Sequence, residues 1–322
     1  EELILSKKVN KLSVPSGEIG KVTRIDDAAG RYVVFVKNTF PKNLTLEGVK
    51  IVLDCANGAA YKVSPIVFQE LGADVITIGV NPNGRNINTE CGAINPGLLK
   101  KKVLETGADL GIALDGDADR IILCDEMGEE VDGDKIMAIC ADELMEQGRL
   151  GKNTVVATIM SNMALETFLE EKGGNLVRTP VGDRYVVEEM RKRGCNFGGE
   201  KSGHIVCMDH TTTGDGTLAA LQILAIMGRK QARLSELSRI IELYPQILIN
   251  VRVAEKKPFE NIDGLDKLIK VCEERLKARG RINLRYSGTE PLARVMVEGE
   301  SESLIGEIAE QIASVLRKEI GD

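Results

Sequence analysis

The sequence contains no tryptophan, and aromatic residues make up only 3% of its 322 positions. Stacking platforms for bases or unmodified sugar rings are therefore scarce, so a ligand has to be recognised through hydrogen bonds and charge. Its seven cysteines are odd in number and include no C-x-x-C pair, which argues against a disulfide framework and against a structural zinc site. A reducing cytoplasm is the expected location. No apolar run approaches the length that spans a bilayer, so no membrane association is expected. Long blocks of like charge are missing too. With 42 basic and 49 acidic residues the net charge is −7, and a nucleic acid held by phosphate neutralisation is not an expected partner. The chain does not begin with methionine, and Glu1-Glu2-Leu3 resembles neither a signal peptide nor a translation start. Removal of an upstream segment is the expectation that follows.

What is present is a globular composition, 43% hydrophobic and 28% charged, with 33 glycines against 9 prolines. The length suits roughly two domains, or three if they are small. Residues 1–30 are polar and mixed, reading as a remnant or linker. The apolar run 49–54 predicts a buried strand ending at the turn Asn57-Gly58. Ser64-Pro65 then predicts a helix start with a serine cap, Gly72 its end, and 73–78 the next strand. The same order recurs a hundred residues later: strand 154–158, Ser161-Asn162, helix 164–172, Gly173-Gly174, strand 176–178. We expect two similar three-layer α/β domains with mixed, mainly parallel sheets over 31–150 and 151–246. Residues 247–322 differ, alternating strand, helix 264–280, two strands and a terminal helix, which predicts a small α+β (βαββα) C-terminal domain.

Asp115-Gly116-Asp117-Ala118-Asp119-Arg120 lies between two apolar runs. Alternate residues of extended chain face one way, so Asp115, Asp117 and Asp119 are expected to converge, with Arg120 pointing away toward an anion. Three adjacent carboxylates call for a cation, and an all-oxygen set favours magnesium, calcium or manganese over zinc. An EF-hand loop fits poorly, because its sixth position needs glycine and holds Arg120, and the flanks read as strands. A hydrated acidic turn is the bland alternative.

Leu284-Arg285-Tyr286-Ser287-Gly288-Thr289-Glu290-Pro291, followed by Arg294, joins two guanidiniums, two hydroxyls and turn N–H groups, a set suited to a terminal phosphate. It is no Walker loop, having no Gly-Lys-Ser/Thr and opening no helix; an ordinary hairpin turn is the alternative. In Gly198-Gly199-Glu200-Lys201-Ser202-Gly203-His204, Glu200 and Ser202 are candidates for ligand hydroxyls and His204 for proton transfer, against a structurally satisfied histidine. Thr179-Pro180-Val181-Gly182-Asp183-Arg184-Tyr185 leads into a helix expected over 186–193, where Arg184 offers a donor to a phosphate or sugar oxygen and Asp183 a cap.

In this order, the Asp115–Arg120, 181–185, 199–204 and 285–291 motifs resemble those of the α-D-phosphohexomutase superfamily over nearly the whole chain from about Gly30. Val131-Asp132-Gly133-Asp134-Lys135-Ile136-Met137 and Thr212-Thr213-Gly214-Asp215-Gly216-Thr217 add a likeness to its bacterial glucosamine-phosphate branch. The resemblance implies an isomerase that interconverts glucosamine 6-phosphate and glucosamine 1-phosphate through a phosphoserine and glucosamine 1,6-bisphosphate, in UDP-N-acetylglucosamine and cell-wall precursor synthesis. It implies Mg2+ (or Mn2+) on Asp115, Asp117 and Asp119, and catalytic roles for Arg120, Arg184 and His204, the last as general acid/base. Substrate contacts are implied for Glu200, Ser202, Arg285, Ser287, Gly288, Thr289 and Arg294, with a phosphosugar as partner and a homodimer as assembly. Tyr286 stands where the family has proline. No Ser-x-Asn-Pro, the family's phosphoserine loop, occurs in the sequence, so this chain is expected to lack the first domain and to be inactive alone. The alternatives are a phosphoglucomutase or phosphomannomutase activity and a non-catalytic phosphosugar-binding protein.

Overall fold

The computed structural model describes residues 2–288 and 290–322, the side chains of Asn10 and Ala278 excepted. The described side chains from 2 to 31 are exposed, through the short helix α1 (Glu2–Leu5) to the start of α2 (Ala28–Lys37). The first sheet comprises β1 (Lys50–Asp54), β2 (Asp74–Ile78), β3 (Leu110–Leu114), β4 (Ile121–Asp125) and β5 (Glu130–Val131), in the order β2-β1-β3-β4-β5. β1 is parallel to β2 and β3, since α3 (Val63–Glu70) and α4 (Gly97–Thr106) return the chain across the sheet. β4 pairs antiparallel with β3 and β5 because short turns join them. The sheet is thus evenly mixed.

The second sheet follows α5 (Gly133–Glu146) and repeats the plan: β6 (Thr154–Thr158), α6 (Met163–Glu171), β7 (Asn175–Thr179), α7 (Asp183–Arg193), β8 (Phe197–Gly199), then a tight hairpin to β9 (Ile205–Cys207), ordered β7-β6-β8-β9. Only β8–β9 is antiparallel. α8 (Gly216–Lys230) and the short α9 (Leu234–Leu237) complete this half. The last part is antiparallel, β10 (Gln246–Arg252), β12 (Leu292–Gly299) and β11 (Gly280–Tyr286) side by side, backed by α10 (Leu265–Leu276) and α11 (Glu302–Ile320).

Two local expectations change. Ser64 is not the cap of α3, which begins at Val63; the Ser64 side chain is fully buried inside the first turn and shares a 2.6 Å hydrogen bond with Thr217 Oγ1 of α8. The two α/β halves also share their main core, besides a smaller cluster of each half around Leu99 and around Met190. One continuous cluster runs from Val33 through Leu114 and Ile136 to Ile223 and Ile241. α8 packs on β3 and β4 of one sheet and β9 of the other, and is apolar nearly all round as a helix between two layers must be. The C-terminal part has a core of its own, centred on Val295, Ile308 and Leu316. Among the described residues no helix is long and apolar enough to cross a membrane.

Candidate functional site

Three of the four polar motifs fall on hairpin turns, and the fourth, 179–185, joins β7 to α7. The first joins β3 to β4, strands buried along their whole length and held in register by Leu114 opposite Ile121. Each large aliphatic side chain there contributes about 1.5–3 kcal/mol by leaving water, which anchors the turn firmly. The carboxylates converge through a tight turn and not through extended chain: Ala118 takes φ +64°, and its N–H donates to the Asp115 carbonyl at 3.1 Å. One oxygen from each of Asp115, Asp117 and Asp119 lies within 4.8 Å of the others. Burial pushes the Asp115 carboxyl up to about 6, with the charges of Asp119 and Asp117 adding to the shift. Asp119 Oδ1 is buried without a hydrogen-bond partner. Arg120 folds back instead of pointing away, its Nε 3.9 Å from both Asp115 Oδ2 and Asp119 Oδ1. This donor set, all oxygen and one of them orphaned, fits a hard divalent cation.

Behind the turn, glycines permit a close approach that composition and spacing did not reveal. The Ala59 N–H donates to the Gly116 carbonyl at 2.8 Å, and a Cβ on Gly58 would stand 2.2 Å from that oxygen. The dipeptide Asn57-Gly58 was legible only as a turn. Asn88, at φ +56°, lies against Gly116 and keeps a buried Oδ1 without a partner.

The second hairpin, between β8 and β9, is closed by Glu200 N–H to the His204 carbonyl and Gly203 N–H to the Glu200 carbonyl, both 2.9 Å. It packs directly on the first. Ile121 N–H donates to the Gly203 carbonyl at 3.0 Å, Gly133 N–H to the Lys201 carbonyl at 3.1 Å, and His204 Nδ1 lies 3.1 Å from Asp119 Oδ2. Glu200 is buried: its Oε1 accepts from Gly182 N–H at 3.0 Å and its Oε2 from the Ser202 hydroxyl at 3.1 Å. Glu200 thereby ties the 180–185 loop to its own hairpin, a linkage not visible in sequence. α7 starts at Asp183, earlier than expected, with Gly182 at φ +132° as its cap residue, so Asp183 is the first helical residue and makes no side-chain cap. Arg184 stands on the exposed side of that turn and pairs with Glu188 at 2.9 Å.

The third hairpin joins β11 to β12. Arg285 sits directly opposite Arg294, and like charges so placed repel unless an anion lies between them. Burial and then Arg294 lower the Arg285 pKa. Arg294 meets Glu290 at 3.1 Å, while its Nε is buried and unpartnered. Ser287 is buried at the strand end, its N–H donating to the Leu292 carbonyl at 2.8 Å, and Lys256 reaches its carbonyl. Gly288 is exposed; Thr289 lies outside the described residues. Tyr286 stacks on Phe259 with centroids 4.4 Å apart and rings 7° from parallel, so the tyrosine in place of proline anchors the hairpin. The structure brings Asp115, Asp117, Asp119, Arg120, Glu200, Ser202 and His204 together, and gathers Arg285, Ser287 and Arg294 on the C-terminal part. That part is seated by Arg281 and the fully buried Glu298, paired at 2.6 Å: Arg281 donates to the Ser161 carbonyl and Glu298 accepts from Met163 N–H at 3.1 Å.

Comparison with known proteins locates this arrangement. Residues 30–128 match phosphoglucomutase/phosphomannomutase, alpha/beta/alpha domain II; 132–244 match alpha/beta/alpha domain III; and 248–315 match the C-terminal domain. The chain is 59% identical over 321 residues to the phosphoglucosamine mutase of Geobacter sp. (strain M21) and 57% identical to that of Geotalea daltonii, covering all of this chain and 71% of each relative. A phosphoglucomutase/phosphomannomutase family protein from Burkholderia thailandensis superposes with a TM-score of 0.73 at 21% identity. A. fumigatus N-acetylphosphoglucosamine mutase, solved with GlcNAc-6P and magnesium, superposes at 0.72 with 23% identity. Each match covers 90% of this chain, and 64% and 65% respectively of the solved ones, so the chain spans somewhat under two thirds of those structures.

Proposed function

The chain belongs to the phosphoglucomutase/phosphomannomutase family of phosphohexomutases, and from that premise we propose that it carries the metal, sugar and phosphate sites of a phosphoglucosamine mutase. The observation that supports this most directly is the joining of the Asp115–Asp119 cluster to the Glu200–His204 hairpin through the 3.1 Å Asp119–His204 contact. Asp115, Asp117 and Asp119 would hold Mg2+, with Mn2+ as a substitute of the same ligand preference. Bound there, the ion would neutralise charge on a phosphoryl group in transfer, where positioning and electrostatics supply most of the catalysis.

Arg120 stands beside the cluster with its side chain 44% exposed, able to meet phosphoryl oxygens that approach the same point. Ser202 is exposed on the hairpin and Glu200 fixes its hydroxyl, a fit to sugar hydroxyls; Arg184 lies at the mouth of the neighbouring loop. Arg285, Ser287, Gly288, Thr289 and Arg294 would take the phosphate that is not in transfer. Since that group sits on C6 in one isomer and on C1 in the other, the loop reads a dianion rather than a sugar. The substrates are then glucosamine 6-phosphate and glucosamine 1-phosphate, with the 1,6-bisphosphate between them. The phosphoryl group reaching O1 has to come from a donor outside the residues assigned here. The described cysteines are all unpaired and buried, which suits a reducing cytoplasm.

Calorimetric titration with glucosamine 6-phosphate tests the reading. Arg285→Ala should weaken binding on the order of tenfold or more, the loss of a charge-assisted hydrogen bond being worth about 1.5–3 kcal/mol. Unchanged affinity would sink it. Glucose and mannose 6-phosphates in the same titration separate the glucosamine reading from its sister activities.

A further inference from the structure

We infer that His204 is a positioning residue that fixes the Asp119 carboxylate for its cation. The inference rests on the reading of Asp115, Asp117 and Asp119 as a cation site. His204 is 2% exposed, and both of its ring nitrogens are engaged inside the protein. The Gly214 backbone N–H donates to Nε2 at 3.1 Å, so Nε2 holds the lone pair and Nδ1 the proton, a tautomer assigned from the partners. Nδ1 lies 3.1 Å from Asp119 Oδ2, which places the proton of that tautomer against this carboxylate oxygen.

The surroundings hold the imidazole in that orientation. A Cβ on residue 214 would come within 2.4 Å of Nε2, so only glycine lets the backbone N–H approach the ring this closely. On the other side, the backbone of His204 bridges to Arg120, the residue that follows Asp119. Asp183 Oδ2 is 4.0 Å from Nε2, beyond hydrogen-bond distance. The two oxygens of Asp119 are thereby made different. Oδ2 faces His204 Nδ1, while Oδ1, 3.9 Å from Arg120 Nε, is buried with no hydrogen-bond partner and is the oxygen open to a metal. This inverts the common pattern in which a carboxylate orients a metal-bound histidine; the orienting physics is the same.

Mn2+ titration of the full chain, without sugar and followed by electron paramagnetic resonance, tests the assignment. In His204→Asn the side-chain amide N–H can take the place of Nδ1–H, whereas in His204→Gln it reaches the Nε2 side. Outer-shell partners typically contribute 10–100-fold to metal affinity. We therefore expect His204→Gln and His204→Ala to bind Mn2+ roughly 10–100-fold more weakly, and His204→Asn to remain within about threefold of the unaltered chain. Thermal melts without metal show which variants are folded, and the Asn/Gln contrast stands even if the alanine variant is not. Equal affinity in the Gln variant and the unaltered chain would overturn the positioning role, as would equal loss in Asn and Gln. Failure of the unaltered chain to bind Mn2+ would overturn the cation reading itself, a separate outcome.

Discussion

The hairpin at 115–120 gathers three carboxylates at the end of strands that are buried along their whole length, whereas the hairpin at 287–291 sets two arginines opposite each other where β11 is only partly covered. Around the first, Gly58 and Gly203 let backbones touch, and a methyl group on either would collide with backbone within 3 Å. Around the second, Gly288 has nothing within 4 Å of its would-be Cβ. A small cation has to be met by oxygens already in place, since their mutual repulsion would otherwise drive them apart. A phosphate is larger and approached by long side chains, so its site can stay open and accept the anion on either end of a sugar. The difference lies in how much of each site the fold builds beforehand.

The widest gap between the two hairpins should show in metal binding. Asp117→Asn, at an exposed member of the cluster, is expected to lower Mn2+ affinity by roughly two orders of magnitude, at or above what outer-shell partners cost, while leaving the unfolding midpoint in place. Arg294→Ala in the same titration should leave Mn2+ binding unchanged; a loss there would mean that the two sites are not independent. Next comes rigidity, read by denaturant unfolding. Gly58→Ala is expected to cost about 1–3 kcal/mol through overpacking against Gly116, and Gly288→Ala to stay within about 0.5 kcal/mol. Similar values at both positions would erase the distinction.

The smallest effect is that of pH. The Asp115 carboxyl is raised to about 6 by burial, so protons compete with the cation as pH falls through that value, and Mn2+ affinity should decline by up to about tenfold per unit below it. Without metal the sign reverses: the raised folded-state pKa means that stability falls as pH rises from the ordinary carboxylate range through about 6. Sulfate binding at Arg285 and Arg294 should be flat over the same window. A pH-independent Mn2+ affinity would remove Asp115 from the ligand set.

Much of this was legible because it is local. Two apolar runs flanking the acidic stretch 115–120 are enough to announce two strands and a charged turn, and the helical spacing of Leu304, Ile308, Ile312, Val315 and Leu316 announces α11. Asn162 before an apolar run was readable as a helix lead, and its side chain does accept from Ala164 N–H at 3.0 Å. Ser64 offered the same local signal and misled, because Thr217 of a distant helix competes for its hydroxyl. Arg120 misled likewise, since the turn at Ala118 brings its chain back over the carboxylates.

Sequence by itself determined the strand–helix–strand opening of each α/β half, the make-up of the C-terminal part and the residue types on each hairpin, though not α2, α4, α5 or α8, because periodicity and turn chemistry act over a few positions. Only the tertiary structure decided that the first two hairpins touch, that Asp119 gives one oxygen to His204 and keeps the other, and that Glu200 holds Gly182. The same is true of the C-terminal seat, where Arg281 meets Ser161 across 120 residues and Glu298 meets Met163 across 135. The reason is physical: a side chain's conformational preference is local, but its hydrogen-bond partner is whatever buried donor or acceptor the packed core sets beside it.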